Sequence, residues 1–423
     1  MYTEVQLDTL VGPTHHFAGL ALGNIASMEH KGALSSPKKA ALQGIEKMKA
    51  VLELGTPQLF FPPQKRPVIS FLKRVGLDTI QAAYDQCPDL LLAAFSSSYM
   101  WTANAATSTP SLDSTDSKHH ITPANLGSNL HRHLEVLDTT RAFQQLLNHP
   151  DYFVLHAALP SVRQLFDEGA ANHTRLAPSH DTQGLHLFVY GDQTQKYPAR
   201  QSVLASQAVA RLHHLPHERV LILEQNPEAI DHGVFHNDVI SVGHTNLFLT
   251  HEKAFKDKKA LDLIASTYFD LYQQHLTLHV VKESEIPLDV AVKTYFFNSQ
   301  ILSLPLGKRA LLAPQDCADN AEVKKYIEKL PYFSQVRYIS LNESMKNGGG
   351  PACLRLRLLL NNLEIKTIPN RFWMDPTRAN LLSELIKKYY PDTFSIEHLK
   401  DKSFLDQLEH TYIMLEQFFE KIR

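Results

Sequence analysis

Leucine alternates with arginine over residues 354–358, which is the period of a β-strand with one buried face. Asn347 and three consecutive glycines precede this strand, and glycines favour positive φ angles or the close approach of another group to the backbone. Pro351 then fixes φ, and Cys353 stands at the mouth of the strand. The pattern predicts a shaped loop that presents a cysteine, although a glycine turn followed by a buried structural thiol fits equally well.

Short apolar segments alternate with amphipathic helical patterns along the rest of the chain. Ser36 and Pro37 predict the start of a helix that Gly55 ends, and Asp375 predicts the cap of the first of two closing helices. Strands are predicted at residues 152–155, 185–190, 220–223 and 247–249. The alternation predicts an α/β or α+β fold. No linker divides the chain and no repeat is visible, so residues 1–423 are predicted as a single domain.

Three polar or glycine-containing segments are predicted to be irregular. Residues 11–24 hold three glycines and two histidines among apolar residues, so a loop that covers a ligand competes with a plain surface connection as the interpretation. Residues 108–122 are rich in serine, threonine and aspartate, which predicts a solvent-facing loop. Residues 233–242 read as a turn that leads into a strand, where strand spacing would place His236 and Asp238 on one face.

Composition and charge exclude several classes of function. The net charge of −2 leaves no basic surplus for a phosphate backbone, so a nucleic-acid partner is not expected. The first residues lack the charged and apolar regions of a signal peptide, and no apolar run is long enough to cross a membrane. The three cysteines are far apart and form no CxxC pair, which indicates a reducing cytoplasm.

Four side chains on turns or strand ends are candidates for chemistry: Cys353, His236, Asp238 and Glu168. A cysteine nucleophile titrates near 8.5 when free, so it needs a histidine or positive field that favours the thiolate. The histidine in turn needs a carboxylate that fixes its tautomer. With 23 histidines in the chain, such triplets also arise by chance.

A metal-dependent hydrolase is the main rival interpretation, with His236 and Asp238 as two ligands. The doublets at residues 15–16, 119–120 and 213–214 are poor chelates, because adjacent side chains diverge on strands and helices. The sequence contains no HExxH motif. It also contains no GxGxxG or Walker loop, so no nucleotide is expected.

The segments 347–357, 168–169, 233–238 and 11–24 together resemble the N-succinylarginine dihydrolase family. This family belongs to the guanidino-group-modifying superfamily, which also holds arginine deiminases and amidinotransferases. Wider members tend to have a second glycine and an aspartate after the Glu-Gly pair. This chain instead continues with Ala170, Ala171 and Asn172. The departure favours the succinylarginine branch over arginine deiminase.

The resemblance implies an α/β fold, a five-bladed propeller (pentein) of ββαβ-type modules around a pseudo-fivefold axis, with the site in the central channel. It implies no metal and no organic cofactor, and it suggests a homodimer. By match of motif, Cys353 is expected to be the nucleophile, His236 the general acid/base and Glu168 its partner. The residues expected to line the substrate are Ala18, Gly19, Leu20, Ala21, Leu22, Gly23, Asn24, Ile25, Ala26, Ser27, Asn104, His131, Arg132, Arg200, Asp238 and Asn347.

The resemblance further implies a hydrolase of arginine catabolism that converts N2-succinyl-L-arginine into N2-succinyl-L-ornithine, two ammonia and CO2. Carboxylates would hold the guanidinium, and Arg132 and Arg200 would hold the succinyl end. Three alternatives remain open at this point. They are a one-step guanidine deiminase, a metal-dependent guanidine hydrolase and a non-catalytic binding protein.

Overall fold

Strands and helices alternate along residues 1–421, the part of the chain that this computed structural model describes. The strands are β1 (Tyr2–Thr9), β2 (Gln58–Phe61), β3 (Ala106–Thr109), β4 (His119–Pro123), β5 (Phe153–Leu155), β6 (His173–Leu176), β7 (Leu185–Tyr190), β8 (Val220–Glu224), β9 (Ser241–His244), β10 (Leu247–His251), β11 (Thr277–Val281), β12 (Gln300–Ser303), β13 (Arg309–Pro314), β14 (Gln335–Ile339), β15 (Arg355–Asn361) and β16 (Trp373–Met374). The helices are α1 (Ile25–Glu29), α2 (Pro37–Glu53), α3 (Ile69–Arg74), α4 (Ile80–Gln86), α5 (Pro88–Phe95), α6 (Leu130–His133), α7 (Val136–Leu146), α8 (Val203–Leu212), α9 (Pro227–Asp231), α10 (Ala260–Tyr272), α11 (Leu288–Thr294), α12 (Gln315–Asp319), α13 (Ala321–Lys329), α14 (Asn342–Lys346), α15 (Asn362–Thr367), α16 (Pro376–Tyr389) and α17 (Lys402–Lys421).

The strands form five small sheets, which are the blades of a propeller. Four blades are consecutive in the chain: β3–β5, β6–β8, β9–β11 and β12–β14. In each of them the first strand pairs antiparallel with the second, and the second pairs parallel with the third after a helical crossover. This is the ββαβ unit, and the predicted five-bladed α/β propeller is confirmed.

The remaining blade is built from both ends of the chain. β15 pairs antiparallel with β1 from Tyr2↔Asn361 to Asp8↔Arg355, and β1 pairs parallel with β2 after the crossover helix α2. β16 extends this sheet as a fourth strand. Pairing of the first strand with a late one closes the ring. Because this blade is split between distant segments, its repeat does not appear as a contiguous unit in the sequence.

The first strand of each blade lies at the axis of the ring. Neighbouring inner strands contact one another, as β15 does with β3 and β9 does with β6 and β12. Arg357 of β15 ties three blades together, because its guanidinium donates to the carbonyls of Gly243 (3.1 Å) and Ile301 (2.9 Å). A turn precedes every inner strand, so five turns converge at one end of the axis.

Helices cover the outside of the blades and complete the hydrophobic core. Ile45 and Met48 of α2 belong to the same buried cluster as Ile386 of α16. Lys47 lies among them, fully buried, with its Nζ 2.7 and 2.9 Å from the carboxylate oxygens of Asp8. Among the helices of residues 1–421, none is both long and apolar enough to span a bilayer.

Most local predictions of structure are confirmed. The Ser36 side chain caps α2 by accepting from the Lys39 N–H, and Asp375 caps α16 by accepting from the Arg378 N–H. The leucines of residues 354–358 are buried and the arginines are half-buried, as the alternation predicts.

Two local predictions are wrong. Residues 108–122 are not a solvent-facing loop: they include the end of β3 and much of β4, and Asp113 within them is fully buried. Its carboxylate binds Arg175 and His186, two partners distant in sequence that allow a polar segment to be buried. His236 and Asp238 do not follow strand spacing, because Asn237–Val239 is a 3-10 turn.

Candidate active site

The five turns at the end of the axis each place one polar side chain in the interior. The five residues are Asn104, Glu168, His236, Asn298 and Cys353, each at most 3% exposed. Asn104, Asn298 and Cys353 stand two positions before β3, β12 and β15, and Glu168 and His236 stand five positions before β6 and β9. The turn before the inner strand therefore contributes a residue to a common interior region in every blade, from two different positions.

His236 and Glu168 form the first pair within this site. The Nε2 of His236 lies 2.9 Å from Oε2 of Glu168, while Nδ1 of His236 is buried without a hydrogen-bond partner among the described residues. Burial lowers the pKa of His236 to about 4, so the ring is neutral near pH 7. An ionised Glu168 accepts the Nε2 proton, which leaves Nδ1 as a free base.

Glu168 is the most heavily bonded member of the site. Its carboxylate accepts from Arg132 Nη1 (2.5 Å) and from the hydroxyl of Ser128. Its backbone N–H donates to Gln201 (2.7 Å), and its carbonyl accepts from Asn104 (2.7 Å). Burial alone would raise the pKa of Glu168, but Arg132 and His236 outweigh it and hold the pKa below the ordinary value.

Cys353 lies between Asn298 and Asp238. Its N–H donates to Oδ1 of Asn298 (3.2 Å), and its Sγ lies 3.5 Å from Oδ2 of Asp238. The Asn298 side chain also donates to the carbonyl of Asp238 (3.2 Å), so one amide joins the two turns. Burial and the neighbouring Asp238 carboxylate raise the pKa of Cys353 well above its ordinary value. The resting side chain of Cys353 is therefore a thiol.

Asp238 is half-buried and lines a second interior cavity, formed by the inner strands, rather than the cavity that opens toward the 11–24 loop. Its Oδ1 is buried without a hydrogen-bond partner among the described residues. Burial raises the pKa of Asp238 to about 6, so at neutral pH it carries a charge that no described cation pairs closely. A buried acceptor of this kind is suited to a cationic ligand.

A cavity opens from Cys353 toward the 11–24 loop. The residues from the sequence prediction that line it are Ala18, Gly19, Leu20, Ala21, Asn24, Ser27, Asn104, His131, Arg132, Arg200, Asn347 and Cys353. Nε and Nη2 of Arg132 are buried there without a partner among the described residues. Arg200 stacks over Phe235 at 4.7 Å and donates to the carbonyl of Leu22 (2.8 Å).

Four residues of the predicted substrate loop lie outside the lining of this cavity. Leu22 is 53% exposed and contributes only its carbonyl, through Arg200. Gly23 has a positive φ and packs against Tyr197. Ile25 and Ala26 begin α1 and line a separate surface pocket against α11 and α14.

The glycine-rich segment holds the 11–24 loop beside the cavity that Cys353 lines. Gly348 has φ +88°, and a Cβ there would overlap the side-chain amide of Asn24. Asn24 donates to the carbonyl of Asn347 (3.2 Å), and Ser27 donates to the side chain of Asn347 (3.2 Å). The glycines therefore permit a close approach between two segments more than 300 residues apart.

Sequence reasoning missed several residues around the site. Trp101 and the serines at 96–98 line the cavity, and Ser128, Gln201 and Asn298 hold the predicted residues in place. None carries a local motif. The signal for Asn298 is positional, because it stands before its inner strand at the same spacing as Cys353 before β15.

Comparisons with known proteins agree with this arrangement. A profile of the family described as succinylarginine dihydrolase matches residues 1–422. The chain is 43% identical to the N-succinylarginine dihydrolase of Shewanella denitrificans, covering 95% of this chain and 94% of the relative. It is also 43% identical to that of Burkholderia cenocepacia, covering 96% and 94%.

Among solved structures, the N-terminal domain of ArgZ, an arginine dihydrolase of cyanobacteria bound to product, matches with a TM-score of 0.55 at 16% identity. The match covers 84% of this chain and 97% of that one, and it shows the shared pentein fold. The profile match over residues 1–422 and the 43% identities show the family as well as the fold. The chain belongs to the succinylarginine dihydrolase family of enzymes.

Proposed function

We propose that this enzyme converts N2-succinyl-L-arginine and two water molecules into N2-succinyl-L-ornithine, two ammonia and CO2. The observation that carries the proposal is the meeting of a thiol, a histidine–carboxylate pair and the Asp238 carboxylate, whose Oδ1 has no partner among the described residues, at the interior turns beside the cavity that Cys353 and Arg132 line. Cys353 is the nucleophile, His236 the general acid/base and Glu168 the group that orients His236. Family membership supports the reaction, and the local geometry supports the assignment of roles.

The guanidinium of the substrate binds between Asp238 and Glu168. A delocalised cation is a poor electrophile, so two carboxylates must position it against the sulfur. Its positive charge also favours the thiolate, which offsets the effect of burial and of Asp238 on the pKa of Cys353. The nucleophile is therefore activated by the substrate that it attacks.

In the first half of the reaction the thiolate adds to the guanidinium carbon. The proton lost from Cys353 passes through Nδ1 of His236 to the departing nitrogen, and a C–N bond breaks to release ammonia. Water, deprotonated by His236, then attacks the covalent thiouronium. The C–S bond breaks, the thiol is restored and a ureido compound remains in the cavity.

The second half repeats this chemistry on the bound ureido compound. Cys353 adds to its carbon, a second C–N bond breaks and the second ammonia leaves. Hydrolysis of the thioester-like intermediate gives a carbamate, which loses CO2 and leaves the amine of N-succinylornithine. The overall balance consumes two water molecules and requires no oxidant, reductant or co-substrate.

The anionic end of the substrate binds at the side of the cavity formed by Arg132 and Arg200. Arg132 gives one N–H to Glu168, and its Nε and Nη2, which have no partner among the described residues, remain for a substrate oxygen. Arg200 is held by Phe235 and by the Leu22 carbonyl. Asn104, His131, Asn347 and the 18–27 segment complete the substrate-binding set in this proposal.

The test is the amount of ammonia released per N-succinylarginine consumed, measured for wild type, Cys353→Ser and Cys87→Ser. Cys87 is a half-buried thiol that lies outside the cavity lining, so it controls for loss of a cysteine. Two ammonia per substrate from wild type and Cys87→Ser, with none from Cys353→Ser, is the expected result. Release of one ammonia per substrate would show that the enzyme is a one-step deiminase instead. Activity that survives in Cys353→Ser would overturn the thiol mechanism.

We also propose that residues 1–423 act as one catalytic domain, in a homodimer, in the cytoplasm and without a nucleic-acid partner. All five blades contribute to the site, so no half of the chain contains it. The three free thiols suit a reducing compartment, and the net charge of −2 gives no electrostatic drive toward nucleic acid. Size-exclusion chromatography with light scattering tests the oligomer, since a mass of one chain would contradict it.

A further inference from the structure

Two histidine doublets that are far apart in the sequence meet where the β3–β5 blade adjoins the β6–β8 blade. One ring of each doublet points into the protein. His119 forms a hydrogen bond with the Ser108 hydroxyl, and the two ring nitrogens of His213 form hydrogen bonds with the hydroxyls of Thr109 and Thr122. The other ring of each doublet, from His120 and His214, reaches Asp116 in the β3–β4 loop. None of these residues lines the cavity around Cys353.

The three side chains have the spacing of metal ligands. Nε2 of His120 lies 2.9 Å from Oδ1 of Asp116, and Nδ1 of His214 lies 3.5 Å from Oδ2 of Asp116. One ligand atom from each residue falls within 4.8 Å of the other two. A tetrahedral zinc ion with bonds of about 2.0–2.1 Å separates its ligands by about 3.3 Å, between the two observed distances.

The ligands are held in place by neighbours that leave their binding atoms available. The Asp116 carboxylate accepts from the Ser114 hydroxyl and from the Lys118 N–H (3.0 Å), both through Oδ1, which leaves Oδ2 to bind. Nδ1 of His120 meets Nε2 of His156 at 2.9 Å, and such a second contact orients a ligating imidazole.

Access and position also suit an ion. His120 is buried, whereas the side chains of His214 and Asp116 are 51% and 30% exposed, so a metal can enter from solvent and keep a water ligand. The two segments already touch, because the Thr115 N–H donates to the carbonyl of His214 (3.1 Å). An ion here would join the β3–β4 loop to the end of α8 in the neighbouring blade.

A second cluster of possible metal ligands, Glu4 with His180 and His244, has no carboxylate oxygen free to bind an ion. The Glu4 carboxylate already accepts from Arg357 (3.0 Å), from the N–H and hydroxyl of Ser303, and from His244 (3.0 Å). Its acceptor capacity is filled, and the adjacent guanidinium opposes a second cation. The Asp116 cluster is therefore the better candidate of the two.

We propose that Asp116, His120 and His214 bind one Zn²⁺ ion, with water as the fourth ligand, and that the ion fastens two neighbouring blades. The site lies apart from the reaction, for which no metal was expected. The adjacent members of each doublet diverge: His119 and His120 alternate along β4, and His213 and His214 lie where the chain turns after α8. Pairing one histidine from each of two doublets removes that obstacle to chelation.

The test is calorimetric titration of the full-length protein, stripped of metal, with ZnCl₂. The series contains wild type, Asp116→Asn, His214→Ala and the control His217→Ala, which removes an exposed histidine three positions away. Each is also prepared with Cys353→Ser, so that the nucleophile cannot act as a ligand. We expect one saturable site of micromolar or tighter affinity in wild type and His217→Ala, weakened at least tenfold in Asp116→Asn and His214→Ala.

Two further measurements separate this site from adventitious binding. Co²⁺ at the site should give the visible absorption of a tetrahedral ion with nitrogen and oxygen ligands, unchanged by Cys353→Ser. Zn²⁺ should raise the Tm of wild type and His217→Ala but of neither ligand variant. Absence of saturable binding by wild type, or equal affinity in all four proteins, would overturn the proposal.

Discussion

Nε2 of His236 lies 2.9 Å from Oε2 of Glu168, and that same carboxylate oxygen accepts from Arg132 at 2.5 Å. One oxygen of Glu168 therefore contacts both His236, the proposed base, and the buried guanidinium of Arg132. The ion pair keeps Glu168 charged, and the charged carboxylate in turn determines which nitrogen of His236 carries the proton. The arrangement fixes the orientation of the imidazole before substrate binds.

Glu168→Gln should lower kcat/KM for N-succinylarginine by about 10²- to 10⁴-fold, mainly through kcat. The amide can donate to Nε2, which moves the imidazole proton to Nδ1 and blocks the base, as in other histidine–carboxylate pairs. Steady-state kinetics per mole of folded protein measures the effect. Glu364→Gln is the control, because Glu364 is a buried carboxylate bonded to Ser111 and the Asn361 N–H away from the cavity. Equal loss in both variants would contradict the role of Glu168.

Sequence patterns predicted correctly the structural features that depend on residues only a few positions apart. The cap at Ser36 and the alternation over residues 354–358 depend on neighbours within a few positions, and both predictions are confirmed. The residues proposed to be catalytic are indicated by the resemblance to a family, because spacing alone does not select one histidine among 23. The structure places His236, Glu168 and Cys353 in the same interior region, at equivalent turns of three blades.

Contacts between distant segments explain what the sequence did not predict. Asp113 is buried because Arg175 and His186 reach it from another blade, so a segment rich in polar residues is not a surface loop. Asn298 has no motif, and its importance depends on the position of its turn in the ring. The five blades share the same backbone arrangement, but their inner strands carry different side chains, so the repeat is not visible in the sequence.

Asp238→Asn should speed the alkylation of Cys353 while it slows catalysis. The Asp238 carboxylate, second to burial, raises the pKa of Cys353, so its removal increases the thiolate fraction at a given pH. We expect an increase of about tenfold or more in the rate with iodoacetamide at pH 8, and a decrease of about 10²-fold in kcat/KM because the guanidinium loses an acceptor. Mass spectrometry of the peptide that contains Cys353 measures the first effect without interference from Cys87.

The difference in the rate of Cys353 alkylation between wild type and Asp238→Asn should depend on pH. Alkylation of Cys353 should rise through the alkaline range in both proteins, since burial raises the thiol pKa. The pKa of Asp238 is about 6, so below that pH the wild-type carboxylate is protonated and the two rates should converge. Asp262→Asn, an exposed substitution on α10, should follow wild type throughout. Slower alkylation in Asp238→Asn at pH 8 would refute the electrostatic argument.

Gly348→Ala should raise KM for N-succinylarginine about tenfold or more. Gly348 has φ +88°, and the added Cβ would overlap the Asn24 side chain that joins the 11–24 loop to the glycine segment. Gly55→Ala is a matched control, because Gly55 has φ +86° but no atom within 4 Å of the new Cβ. Both variants should lose about 1–2 kcal/mol of stability from backbone strain, and only Gly348→Ala should change KM. An equal KM in the two would show that the contact with Asn24 does not shape the cavity.

Lys47→Met should lower the free energy of unfolding by about 3–5 kcal/mol, because it leaves the buried Asp8 without its cation. The double variant Asp8→Asn/Lys47→Met should recover at least half of that loss, since a neutral amide can still accept from Gln58. Urea denaturation of wild type, both single variants and the double variant gives the coupling between the two residues. Lys387→Met removes an exposed ion pair with Glu384 and should cost less than about 1 kcal/mol. If the double variant is no more stable than Lys47→Met, burial of an unpaired charge is not the reason for the loss.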